Sequence, residues 1–135
     1  MYAKEKMCAK LHNGTVTGAN LSYEGSITIG KTLLDASGIE LFDKVQVLNM
    51  SNGNRIETYV IEGEGSEICL NGAAAHLFKE DDNVIVIAYM LVFDGRLSSD
   101  FGKIADVDNH HPQSKIIILD GTKQNLIKQT IIKAT

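Results

Sequence analysis

The chain has 135 residues and a formal net charge of −4, and 44% of its residues are hydrophobic and 22% charged. This composition excludes a disordered chain, and the length and acidic balance argue against several domains and against nucleic acid or an anionic membrane as a partner. No signal peptide, no apolar run of about 20 residues and no metal-ligand spacing of the two cysteines occur, so we expect one cytoplasmic domain over residues 1–135 without a metal or a membrane span.

Short β-prone segments follow one another along the chain and are separated by turn-forming residues. Strands are predicted over residues 7–11, 26–29, 44–48, 55–61, 67–70, 84–92 and 115–119, with a last β-prone segment over 126–132. Turns are predicted at Asn13-Gly14, 18–20, 51–54 and Asp120-Gly121. The nearly unbroken apolar run over 84–92 predicts a central strand buried on both faces.

Two short helices complete the predicted elements. Thr32 is predicted to cap a helix over residues 33–37 that Gly38 ends, and Asn71 to cap a second over 72–78. The polar stretch 94–112 predicts a loop. Many short strands without β-α alternation are typical of a mainly β protein, either a closed or a nearly closed barrel.

Gly25-Ser26 lies at the start of the predicted strand 26–29, although most Gly-Ser pairs are ordinary turns. The Ser26 hydroxyl is near the Gly25 carbonyl, and its attack would close a five-membered ring and move the acyl group from nitrogen to oxygen. Such a shift needs a strained peptide and a stabilised oxyanion, and a glycine gives the backbone that freedom. Because the chain shows neither a Ser-His-Asp triad nor a Gly-x-Ser-x-Gly elbow, attack on its own backbone is the better use for Ser26.

Four blocks along the chain carry a family resemblance: KLH at 10–12, YEGS at 23–26, NGNR at 52–55 with Thr58-Tyr59, and NGAAAH at 71–76. In this order and spacing they resemble the pyruvoyl-dependent aspartate 1-decarboxylases. The resemblance implies a six-stranded double-psi β-barrel and a homotetramer. It also implies self-cleavage between Gly25 and Ser26 into 1–25 and 26–135, with Ser26 converted to a covalent pyruvoyl group.

The resemblance also implies a reaction. L-Aspartate would be converted to β-alanine and CO₂, for pantothenate and coenzyme A biosynthesis. The pyruvoyl ketone would form a Schiff base with the substrate amine and act as an electron sink.

The same resemblance assigns roles to individual residues. Thr58 would stabilise the oxyanion during processing, and Tyr59 would return the proton to the substrate. Arg55 and Lys10 would bind carboxylates. The substrate would also lie against the start of the second helix, at Asn71, Gly72, Ala73 and Ala74.

Each assigned residue also has an ordinary structural interpretation. Thr58 and Tyr59 would be strand-packing residues, and Arg55 and Lys10 solvated surface charges. Residues 71–74 would be a tightly packed helix start without a ligand. Tyr23 and His12 match further positions that line the family's site, although a lone histidine is more often structural.

The chain departs from the family pattern at a few positions. Asn13 replaces an arginine, Asp81-Asp82 replaces Gly-Asp, and Asn83 stands where an apolar residue is usual. The part after residue 94 is longer than the pattern predicts. Two other functions stay open, an unprocessed β-barrel binding module and a decarboxylase of another small amino acid. The need for a maturation factor stays open as well.

Overall fold

A computed structural model describes residues 3–22, 25–93 and 113–134. Within these ranges the chain forms nine strands, one α-helix and one 3₁₀ helix. The strands are β1 (Ala3–Thr15), β2 (Gly18–Asn20), β3 (Ser26–Gly30), β4 (Lys44–Asn49), β5 (Arg55–Gly63), β6 (Ile68–Asn71), β7 (Asn83–Phe93), β8 (Gln113–Leu119) and β9 (Ile127–Ala134). The helices are α1 (Lys31–Ser37) and the 3₁₀ helix Gly72–His76. The predicted loop 94–112 and Tyr23 lie outside the described residues.

The mainly β prediction is confirmed. The described strands hydrogen-bond in the order β2-β6-β3-β5-β4-β7-β1-β8-β9. Three neighbouring pairs are parallel, β1 with β8, β2 with β6 and β3 with β5, and the others are antiparallel. The core is aliphatic, and its side chains include Leu11, Ile27, Val47 and Ile117, each with no exposed surface. This arrangement is consistent with a β-barrel.

The predicted hairpin at 51–54 is confirmed, because it joins the antiparallel strands β4 and β5. Gly53 in this turn has φ of 81°, a value that glycine adopts without a steric penalty. The predicted central strand is right for only half its length. Val84 to Val86 of β7 are buried on both faces, but residues 89–93 extend past the end of β4 and alternate between exposed and half-buried side chains.

The predicted turn at Asn13-Gly14 is wrong. Both residues lie inside β1, where the register with β7 shifts between Leu11 and Gly14. Asn13 has φ of 62° and accepts a hydrogen bond from Asn83 Nδ2 at 2.6 Å. Two of the positions that depart from the family pattern are therefore partners of each other, at an irregularity of the strand.

The predicted turn over 18–20 is also wrong, because these residues form β2. Gly18 pairs with Cys69 in the parallel β2–β6 ladder. The glycine and asparagine composition favours a turn locally, but pairing with β6, which is distant in sequence, determines the conformation.

Neither predicted helix cap forms. Helix α1 begins at Lys31 after Gly30, without a side-chain capping bond, so Thr32 is not its cap. A Cβ on Gly30 would lie 2.1 Å from the Gly65 carbonyl oxygen, so no capping side chain fits there. Gly38 ends the helix as predicted, with φ of 81°. The second helix is a shorter 3₁₀ helix, which the Asn71 side chain does not cap.

Asn125 joins the C-terminal part of the chain to the rest of the fold. Its side chain is fully buried, accepts a hydrogen bond from the Thr15 backbone N–H at 2.9 Å, and donates to the carbonyl oxygens of Thr15 and Ser66 at 3.0 Å. We expect Asn125→Ala to lower the free energy of unfolding by about 2–3 kcal/mol, because buried backbone groups lose their partners. Chemical denaturation followed by circular dichroism, at one protein concentration, measures this change.

The exposed neighbour Gln124 provides the matched control, and Gln124→Ala should change stability by no more than about 0.5 kcal/mol. Because Asn125 has φ of 46°, Asn125→Gly separates the lost hydrogen bonds from backbone strain in the alanine variant. A loss below about 1 kcal/mol in both Asn125 variants would contradict the assigned role.

Candidate active site

Ser26 is the first residue of β3, and only 1% of its surface is exposed. Its register partner in the antiparallel β3–β6 ladder is Asn71, which is also buried. Asn71 Nδ2 donates a hydrogen bond to Ser26 Oγ at 3.0 Å. The hydroxyl on which the proposed chemistry depends is therefore held by an amide from the neighbouring strand.

The Asn71 amide has two further partners that the sequence did not indicate. Its Nδ2 also donates to Thr28 Oγ1 at 2.9 Å, and its Oδ1 accepts from Cys69 Sγ at 3.5 Å. Burial, and secondarily the charge of Glu67, raise the pKa of the Cys69 thiol, which favours the protonated S–H form. Residues i and i+2 of a strand share a face. The pairs Ser26/Thr28 and Cys69/Asn71 on two paired strands are therefore the pattern that could have revealed these contacts.

A cavity of about 440 Å³ lies beside Gly25. It brings together five of the residues predicted for the site, and they are Gly25, Thr58, Tyr59, Ala73 and Ala74. Ile56, Glu57 and Leu77 complete its lining. We call this the Gly25 cavity.

The parallel register of β3 and β5 explains why Gly25 and Thr58 share the cavity. Ile27 pairs with Val60, so continuing the register back along both strands sets Gly25 level with Thr58. Thr58 is partly buried, whereas its neighbours Glu57 and Tyr59 are exposed, as the predicted alternation of β5 requires. An ideal Cβ on Gly25 would have no described atom within 4 Å, so crowding does not explain the glycine there.

Tyr59 lines this cavity, and 36% of its surface is exposed. Its ring packs against Phe42, with ring centroids 6.1 Å apart and planes tilted by 53°. The contact with Phe42 restricts the Tyr59 ring beside the cavity, which suits its predicted role in proton transfer.

Arg55 is not among the residues that line the Gly25 cavity. It lines a second cavity of about 450 Å³, where its Nη1 donates to Gln46 Oε1 at 3.2 Å. The Tyr89 hydroxyl donates to the same oxygen at 2.9 Å. Lys10, a half-buried residue of β1 opposite Ile87, does not line the Gly25 cavity either. Within one chain, the two predicted cations are therefore not assembled with Gly25 and Thr58.

Glu57 lines both cavities and was not predicted for the site. Its carboxylate forms an ion pair with Lys44 at 3.2 Å and accepts from Gln46 Nε2 at 3.4 Å. The hydrogen bond from Lys44, followed by the one from Gln46, lowers the pKa of the Glu57 carboxyl. Lys44 thus offsets the negative charge that Glu57 brings to both cavities, although solvent screens this exposed pair.

The remaining predicted residues occupy the edges of the site. Gly72 is buried and has φ of 63°, a conformation that favours glycine where the chain turns into the 3₁₀ helix. His12 is half-buried, and its Nδ1 is buried without a partner among the described residues. Tyr23 lies outside them.

The chain matches the family described as aspartate decarboxylase over residues 2–116. It is 51% identical to an aspartate 1-decarboxylase of Anoxybacillus flavithermus over 114 residues, 83% of this chain and 90% of that protein. The identity to the aspartate 1-decarboxylase of Bacillus pumilus is 46% over 127 residues, 93% and 89% of the two chains. The enzyme of the same name from Caldicellulosiruptor saccharolyticus is 46% identical over 123 residues, 90% and 94%.

The sequence of this mainly β chain, with its buried serine beside the Gly25 cavity, thus matches a class of decarboxylases. The chain belongs to the aspartate decarboxylase family. None of the helices in the described ranges is long and apolar enough to cross a membrane.

Proposed function

We propose that this protein is an aspartate 1-decarboxylase that converts L-aspartate to β-alanine and CO₂. The product would supply pantothenate and coenzyme A biosynthesis. The observation that carries the proposal is the arrangement around Ser26 in a chain of this family. A buried hydroxyl held by Asn71 follows Gly25, whose cavity also contains Thr58 and Tyr59.

The proposed processing uses the chain's own atoms. Ser26 Oγ attacks the Gly25 carbonyl carbon, the Gly25–Ser26 C–N bond breaks, and an ester with a free Ser26 amine results. Thr58, level with Gly25, donates to the oxyanion of this step, which is worth roughly 3 kcal/mol. Loss of the Ser26 Cα proton and cleavage of Cβ–Oγ then release Gly25 as a carboxylate. The remaining enamine tautomerises and takes up water, losing ammonia.

The surroundings of Ser26 fit the group that this sequence leaves. The position is buried, and the Asn71 amide already presents an N–H to the atom that reacts. A pyruvoyl group at position 26 would supply a ketone that can bind an amine covalently and act as an electron sink for decarboxylation. Tyr59, which lines the Gly25 cavity, then donates its phenolic proton to the substrate α-carbon as a general acid.

Substrate contacts are assigned to two groups of residues. Ala73 and Ala74, which line the Gly25 cavity, are assigned to contact the substrate together with their chain neighbours Asn71 and Gly72. Arg55 and Lys10 are assigned to the carboxylates, with Arg55 offering a planar fork that suits bidentate binding.

We further propose one domain over residues 1–135, folded as a six-stranded double-psi β-barrel and assembled as a cytoplasmic homotetramer. The separation of Arg55 from the Gly25 cavity within one chain supports an assembly in which a neighbouring subunit supplies the cation. Closed symmetry is common for homo-oligomers. Light scattering should give a tetramer, and a monomer at micromolar concentration would contradict it.

A direct assay tests the proposed activity. Purified protein incubated with L-aspartate should release β-alanine and CO₂ in equal amounts, whereas L-glutamate, longer by one methylene, should react poorly. Processed protein that acts on another small amino acid and not on L-aspartate would favour the alternative decarboxylase. Uncut protein without activity would favour the binding module.

Arg55→Lys should lower kcat/KM for L-aspartate by roughly thirtyfold, or about 2 kcal/mol, because a lysine cannot reproduce the guanidinium fork. Self-cleavage should be spared, since Arg55 has no role in the acyl shift. Lys31→Ala, on the exposed Lys31–Asp35 ion pair of α1, is the control and should leave kcat/KM unchanged. A fully processed Arg55→Lys enzyme with wild-type kcat/KM would show that Arg55 is only a surface charge.

A further inference from the structure

We propose that Thr28 and Cys69 are positioning residues for self-cleavage, acting through Asn71 so that its amide N–H, and not its carbonyl oxygen, faces Ser26 Oγ. The inference rests on the proposed function and adds two residues to it. Neither touches the scissile peptide in the contacts described, so their role is to orient the residue that does contact Ser26.

The four residues form two adjacent pairs on one face of the β3–β6 ladder. Ser26 is opposite Asn71, and Thr28 is opposite Cys69. The two residues between them, Ile27 and Leu70, point to the opposite face and are fully buried in the core. Alternation thus places a hydroxyl, an amide, a second hydroxyl and a thiol side by side.

Both N–H groups and the carbonyl oxygen of the Asn71 amide have hydrogen-bond partners on this face. One N–H meets Ser26 Oγ at 3.0 Å, the other meets Thr28 Oγ1 at 2.9 Å, and Oδ1 receives the Cys69 thiol at 3.5 Å. An amide has nearly the same shape at its two ends, so its partners decide which end faces Ser26. A thiol is a poor acceptor for N–H, so Cys69 favours the carbonyl end on its own side, and Thr28 holds the second N–H.

The orientation of Thr28 is itself fixed by packing. A Cβ on Gly63 would meet the Glu67 carboxylate and lie 2.5 Å from Thr28 Cγ2, so the threonine methyl and the Glu67 side chain both occupy the space beside the glycine. This contact selects the side-chain rotamer that directs Oγ1 to Asn71. Valine is close to threonine in shape, because it keeps Cγ2 and carries a methyl group in place of Oγ1. Thr28→Val therefore removes the hydrogen bond with little change in volume.

The direction of the Asn71 amide matters because of the charge that develops on the former Ser26 oxygen. When Cβ–Oγ breaks, its electron pair goes to Oγ, which leaves as one oxygen of the Gly25 carboxylate. An N–H facing that oxygen stabilises the negative charge, and a carbonyl oxygen in its place would repel it. A flipped amide should therefore slow the elimination and let the preceding ester accumulate.

The test follows the cleavage of freshly synthesised full-length chain by intact mass spectrometry. Thr28→Val and Cys69→Ala should each cleave roughly tenfold more slowly than wild type, the change expected for one lost hydrogen bond. Thr28→Ser keeps the hydroxyl that Asn71 contacts and should cleave within about threefold of wild type. Hydroxylamine, which cuts esters, should release more Gly25 hydroxamate from the two slow variants than from wild type.

Thermal unfolding of the uncut chains separates positioning from general damage. Thr28→Val, the variant closest in shape, should lower the melting temperature by no more than a few degrees, the cost of one unsatisfied N–H, while showing the slower cleavage and the accumulated ester. Wild-type cleavage rates in both Thr28→Val and Cys69→Ala would overturn the inference, as would cleavage of Thr28→Ser that is as slow as that of Thr28→Val. An uncut wild-type chain would instead overturn the proposed function, so the two failures are distinguishable.

Discussion

Ser26→Ala is expected to remain a single chain of 135 residues and to form no β-alanine from L-aspartate. Alanine has no Oγ to attack the Gly25 carbonyl and no oxygen to eliminate. The change removes one small group from a buried site, and the Asn71 amide keeps its contacts to Thr28 and Cys69, so the fold should persist. Gel electrophoresis and a coupled β-alanine assay measure the two outcomes.

Ser22→Ala is the matched control for this variant. Ser22 is an exposed serine in the turn before Gly25, and its backbone N–H, which the substitution keeps, makes the local hydrogen bond to Asn20. It should cleave and turn over L-aspartate as wild type does. Cleavage of Ser26→Ala at the same peptide bond would show that Ser26 is not the nucleophile.

Tyr59→Phe should lower kcat for L-aspartate by about 100-fold or more, because general acid catalysis by a positioned group contributes about 10²–10⁴ in rate. The phenylalanine ring keeps the packing against Phe42, so only the hydroxyl group is lost. Self-cleavage should proceed at the wild-type rate, since the acyl shift uses Ser26 and Thr58. Steady-state kinetics on fully processed protein measure the effect.

Tyr89→Phe is the corresponding control on β7, which β4 separates from β5. The Tyr89 hydroxyl donates to Gln46 in the second cavity and does not line the Gly25 cavity, so kcat should change by no more than a few fold. If Tyr59→Phe keeps wild-type kcat, the proton comes from another donor. If both tyrosine variants lose activity equally, the effect is not specific to the Gly25 cavity.

Those parts of the fold that depend on local pattern could be predicted from the sequence. The alternation of β4 and β5 and the turn at 51–54 require only neighbouring residues, and the structure has both. Asn13-Gly14 and residues 18–20 were predicted wrongly because their conformation depends on pairing with β7 and β6, which the local composition does not encode. The length over which β7 is buried also depends on pairing, because its partner strand β4 does not extend along residues 89–93.

The candidate site divides in a similar way. The blocks of the family pattern indicated Gly25, Thr58 and Tyr59, and the structure places these three on one cavity. The partners of Asn71 could not be predicted, because an asparagine before a helix can either cap it or bond across strands. Only the β3–β6 register decides between these, and it also brings in Thr28 and Cys69.

The intact-mass spectrum of the purified wild-type protein tests the central claim, that Ser26 becomes the catalytic group, most directly. We predict two fragments, one spanning residues 1–25 and one spanning 26–135, with the longer lighter by one ammonia than a chain that begins with serine. Borohydride with L-aspartate should add the substrate to the longer fragment alone. A single mass for the uncut chain, or a longer fragment that retains an N-terminal serine, would contradict the account.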